Sequence, residues 1–137
     1  MTNIMLRRVV LGKSIGFGIG LLGFVMIPYL FPDTPLLLRI GVLMWYTMMG
    51  AMIALGGVID EHPWFGFSII APVRGAIFGA IMNTILVCIA FESFVSMFSA
   101  LDISPFWVVA EGLVIGLIID VIITKKTGEG AALCSNQ

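Results

Sequence analysis

The chain has 137 residues, 60% of them hydrophobic and 11% charged, with a formal net charge of −1 and a mean hydropathy of +1.13. A soluble domain is nearer half apolar and a quarter charged, so the composition excludes a water-soluble fold and points to a chain solvated by lipid. There is no basic stripe to hold nucleic acid, and two cysteines, Cys88 in an apolar run and Cys134 in a polar tail, do not make a disulfide scaffold.

In chain order, the first apolar run covers about residues 9–27. Arg7 and Arg8 precede it as they would a signal peptide. No small-residue cleavage site follows, however, and the run is longer than a signal core, so it reads as a membrane span. Pro28 closes it, and residues 28–35, with three prolines, read as a rigid loop. Thr34 then Pro35 is a cap-and-first-turn signal for a second span over about 36–59. A third span covers about 72–91, with Phe94 to Met97 as a short interfacial extension. Ser104 then Pro105 repeats the start signal for a fourth span over about 105–124. Each run is near twenty residues without alternation, enough to cross about 30 Å of hydrocarbon as a helix. The expected fold is an all-α integral membrane protein, a four-helix bundle in one domain spanning 1–137, with 125–137 as a polar tail. Spans one and three run the same way, as do two and four, but the sequence likeness is too weak to establish a duplication.

Basic residues set the expected orientation. Arg7, Arg8, Lys13, Arg74, Lys125 and Lys126 all fall on one side, and only Arg39 falls on the other. The positive-inside rule then puts both termini in the cytoplasm, in a bacterial inner membrane if the source is prokaryotic. Tyr29, Phe31, Phe94, Phe98, Phe106 and Trp107 mark the outer interface, and Trp64, Phe65 and Phe67 the inner one.

Small residues recur at intervals near four on every span: Gly12, Gly16 and Gly20; Gly50, Ala54 and Gly57; Gly75 and Gly79; Gly112 and Gly116. That spacing stacks them on one helix face, where they let backbones approach closely. Such faces suit glycine-rich packing within the bundle, a homodimer, or docking to a larger membrane protein.

The polar residues inside the spans are the candidate site. Asp120 continues the Gly112–Gly116 face, so it points at protein, with Lys13, Arg74 and Lys125 as expected partners at similar depth. Glu111, nine residues earlier, falls on roughly the opposite face. Its expected partner is Arg39, with Glu92 competing in an outer cluster. Asn83 continues the Gly75–Gly79 face at mid-membrane, where an amide hydrogen-bonds across helices or serves a passing ion. In the inner loop, Asp60, Glu61 and His62 are expected to pair with Arg74 or with a partner's basic surface. Three consecutive ligands with no second histidine make a poor metal site.

No serine elbow, HExxH or Walker loop is present, and no cofactor motif, so an enzyme is not expected. The size and four-helix plan resemble small multidrug-resistance transporters and dual-topology fluoride channels, both of which need a dimer to enclose a path. The resemblance is one of architecture, because the former carry a glutamate in the first helix where this chain has Lys13 and glycines. Two functions lead: an accessory or assembly subunit docked to a membrane-protein partner, or a small homo-oligomeric transporter or channel for protons, ions or small solutes that uses Glu111, Asp120 and Asn83; a membrane sensor using the Asp60–His62 loop comes third.

Overall fold

The computed structural model describes residues 3–58, 69–128 and 130. They form α1 (Asn3–Leu30), α2 (Leu36–Gly56), α3 (Ala71–Ile89), α4 (Phe91–Phe98) with a 3-10 turn at Ser99–Leu101, and α5 (Trp107–Thr127). Four of these, α1, α2, α3 and α5, are long and apolar enough to cross a membrane. The chain is a small multi-pass integral membrane protein.

The helix ends follow from local chemistry. α1 does not stop at Pro28, as the sequence suggests, but carries it in its last turn and ends at Leu30. Proline cannot donate to the carbonyl four residues back, which in α1 belongs to Phe24. Arg39 supplies the missing donors: Nε and Nη2 reach the Phe24 carbonyl at 3.2 and 3.0 Å. α2 starts directly after Pro35 and closes at Gly57, whose N–H bonds back to Ala54 at 3.3 Å. α3 and α4 are one apolar run broken at Ala90, whose φ of −112° and ψ of 25° leave the helical region. The turn before α5 holds Pro105, and α5 runs on through Lys125 and Lys126.

The bundle is built from two antiparallel hairpins, α1 with α2 and α3 with α5. In each, glycines bring backbone against backbone. A methyl group added at Gly12 or Gly16 would strike the carbonyls of Gly50 or Tyr46, and one at Gly50 would strike the carbonyl of Gly12. In the second hairpin, Gly75 and Gly116 face each other's carbonyls, as do Gly79 and Gly112. Between the hairpins the packing is by large side chains. Met49 and Ile53 of α2, Met82 of α3, and Ile119 and Ile123 of α5 form one buried cluster, onto which Ile15 and Ile19 of α1 pack. Leu86, Val87, Phe94 and Val108 form a second cluster below α4. The outer faces are apolar and exposed, with Leu37 at 80% and Ile89 at 75% of full accessibility. That surface is stable only against lipid.

Candidate functional site

Polar side chains gather in two places. The first is the end of the bundle where α1 and α3 begin and α2 and α5 finish. Asp120 is fully buried there, together with Arg8 and Arg74. Arg8 Nη2 donates to Asp120 Oδ1 at 2.9 Å. Arg74 donates through Nε to Oδ2 at 2.9 Å and through Nη2 to Oδ1 at 3.1 Å. The Thr124 hydroxyl adds a bond to Oδ1 at 3.2 Å. Arg8 also ties in α2, through the Ala54 carbonyl at 2.8 Å, and the end of α5, through the Thr127 hydroxyl at 3.1 Å and the Gly128 carbonyl. Both arginines make further contacts. Gly57 gives the room, because a side chain there would occupy the Arg8 guanidinium's position. A buried ion pair is tolerated only when its remaining lone pairs and protons are satisfied, and this carboxylate is saturated. The knot joins both hairpins.

The second group lies in the other half. Asn83 is fully buried. Its Nδ2 donates to the Tyr46 hydroxyl at 3.1 Å and the Val108 carbonyl at 2.8 Å, and its Oδ1 accepts from Trp45 Nε1 at 3.2 Å. The Tyr46 hydroxyl accepts from Asn83, and Tyr46 lines the same cleft as Glu111. Asn83 of α3 thus ties the Trp45 and Tyr46 side chains of α2 to the backbone of α5.

The Glu111 carboxylate opens onto this cleft, a cavity of about 650 Å³ between α1 and α5. Its walls are Ile19, Leu22, Met26 and Ile27 of α1 and Ile115 and Ile118 of α5. Aromatic rings of Tyr46, Phe31, Phe94 and Phe98 complete it. Phe31 meets Phe98 edge to face at 5.4 Å, and Phe94 stacks on Phe98 at 5.9 Å. Among the described residues Glu111, itself exposed, is the one ionisable group in the lining besides Tyr46. A cleft of this size and polarity suits a small, mainly apolar molecule held by few polar contacts.

The expected site residues are thus divided. Asp120 meets Arg74 as the sequence suggests, but Lys13 is exposed on the lipid side and does not join the knot. The expected outer cluster of Arg39, Glu111 and Glu92 does not form. Arg39 is spent on the Phe24 carbonyl and lies 4.5 Å over the Phe24 ring. Glu92 is exposed in the first turn of α4, and among the described residues both ion pairs involve Asp120. Asn83 makes the cross-helix bonds expected of it and is not free to follow an ion. Asp60, Glu61 and His62, with Trp64, Phe65, Phe67 and Cys134, lie outside the described residues. Sequence reasoning missed Arg8, Trp45, Tyr46 and Thr124. Arg8 was legible, because it continues the Gly12–Gly16–Gly20 series by one more step of four.

Searches against protein-family models, curated proteins and solved structures give no match for this chain.

Proposed function

We propose that this membrane protein is a carrier for small amphiphilic cations, molecules with an apolar body and one positive charge, bound in the cavity between α1 and α5. One observation carries the reading: among the described residues one carboxylate, the exposed Glu111, stands at the wall of an apolar and aromatic cleft between α1 and α5. A carboxylate in hydrocarbon needs a counter-charge, and Arg39, the described cation in that half of the bundle, is engaged by the Phe24 carbonyl. Aromatic faces attract a cation whose charge is spread over an apolar surface. The Arg8–Asp120–Arg74 knot ties the two hairpins at the opposite end, on the side where basic residues favour the cytoplasm. The cavity then faces the outer half of the bilayer, with Glu111 as anchor and Asp120 as fastener rather than a step on the path.

An accessory-subunit role draws on glycine faces free to dock. Those of Gly12, Gly16, Gly50, Gly75, Gly79, Gly112 and Gly116 are covered inside the chain, which leaves that role with less support.

The test is calorimetric binding to the purified protein of two probes alike in shape and opposite in charge, tetraphenylphosphonium and tetraphenylborate. The phosphonium should bind and the borate should not. Glu111→Gln should weaken the phosphonium at least about ten-fold, the worth of one charge-assisted contact. Gly23→Phe should block it outright. Gly23 lines the cavity, and the nearest atom to an added Cβ is Val42 Cγ1 at 3.6 Å. Phosphonium binding unchanged in both variants would defeat the proposal. Uptake into liposomes, lost in the same variants, separates carriage from binding.

A further inference from the structure

Lys13 is an exposed ammonium on the lipid-facing side of α1, five residues beyond Arg8. By helix rise it lies about 7.5 Å further along the axis than Arg8. A lysine at such a depth bends its head back to the membrane surface while its stem lies along apolar neighbours. Lys13 has such neighbours. It stands at one end of a groove of about 480 Å³ that follows the seam of α1 and α2, lined further by Phe17, Leu43, Met44, Thr47 and Met48. The Thr47 hydroxyl is turned onto the Leu43 carbonyl at 2.8 Å, so it offers the groove no free donor. The seam runs between two backbones that Gly12, Gly16 and Gly20 hold close, and its floor is therefore fixed. Met44 and Met48, unbranched and adaptable, form one bank. The result is a straight apolar channel open to lipid with a single cation at one end.

We infer that this groove is a binding site for one anionic phospholipid, its headgroup phosphate on Lys13 and one acyl chain along Phe17, Met48 and Met44. Charge complementarity selects the occupant. A zwitterionic lipid brings its own cation to the same place, whereas an anionic lipid brings net negative charge to an ammonium with no ion pair among the described residues. Lys125 and Lys126 serve as internal controls: they sit at the same end of the bundle, in the last turn of α5, and line none of the grooves described. The site is on the opposite side of α1 from the Glu111 cavity in its lining and stands independently of the carrier reading.

The experiment is native mass spectrometry of the whole protein released from detergent, after equilibration with equal amounts of phosphatidylglycerol and phosphatidylcholine of the same acyl chains. The wild type should retain one phosphatidylglycerol in preference by about five-fold, the worth of one basic residue near an anionic surface. Lys13→Gln should abolish the preference and Lys126→Gln should keep it. Met48→Trp, which fills the groove from an exposed position, should lower retention of both lipids. Both Lys13 and Met48 are exposed, so neither variant threatens the fold. Equal retention of the two lipids by the wild type would overturn the site. So would a preference that survives Lys13→Gln, or retention indifferent to Met48→Trp.

Discussion

Arg39 donates two hydrogen bonds to the carbonyl of Phe24, across fifteen residues, at 3.2 and 3.0 Å. That carbonyl is the one acceptor Pro28 leaves without its helical partner. The arginine that sequence placed beside Glu111 is instead a patch for a proline in α1, and its ring contact with Phe24 holds it there. Replacing it should be costly only while Pro28 is present. Arg39→Leu should lower stability by about 1–2 kcal/mol, the cost of a half-buried acceptor left unpaired. In a Pro28→Ala background, where the backbone N–H returns, the same change should cost clearly less. A double-mutant cycle in detergent, read by thermal unfolding, measures the difference.

Asp120 should be the most sensitive polar position in the chain. Asp120→Asn leaves Arg8 and Arg74 facing a neutral amide, and breaking a buried pair in this way costs about 3–5 kcal/mol. Lys13→Gln, from a residue once expected beside Asp120, should leave stability unchanged within about 0.5 kcal/mol, as at other exposed positions. Unfolding of the two variants side by side checks both.

The glycines should separate into two groups. Gly79→Ala or Gly116→Ala puts a methyl group into the facing backbone, which cannot give way, and should force α3 and α5 apart. Gly18→Ala and Gly41→Ala meet nothing within 4 Å, and should be neutral or stabilising by about 0.5–1 kcal/mol from helix propensity alone. Melting temperatures of the four variants decide it.

Tyr46→Phe removes the cleft-lining hydroxyl to which Asn83 donates while keeping the ring. Asn83 retains Trp45 and the Val108 carbonyl, so the fold should hold. Phosphonium affinity should fall several-fold, roughly the worth of one neutral polar group, as the cleft loses its hydroxyl beside Glu111. Equal affinity for wild type and variant would remove Tyr46 from the site.

How far all this was legible depends on whether a feature is local. The spans were, because an apolar run near twenty residues has few other uses. The Asp120–Arg74 pair was also legible, since depth can be counted along each helix and both lie near the same end. The Arg39–Glu111 pair fails although the depths agree. Depth says nothing of azimuth, and a carbonyl freed by proline lies nearer. Arg8 went unread because a basic flank was taken only as a topological signal, although its four-residue step from Gly12 put it on the packed face. The cavity has no sequence signature. It is the space left where α1 and α5 belong to different hairpins and no small-residue face draws them together.

Each long helix finds its closest partner in its own half of the sequence, and this bears on how the protein is made. As the chain leaves the ribosome, α1 can zip onto α2 before α3 exists, burying its glycine face with no help from later segments. α3 and α5 can do the same. Biosynthesis then reduces to two insertions followed by one lateral docking. The Arg8–Asp120–Arg74 knot, which spans both halves, closes last and holds only if the second hairpin has arrived in register. A chain severed between the hairpins should still assemble from its two parts.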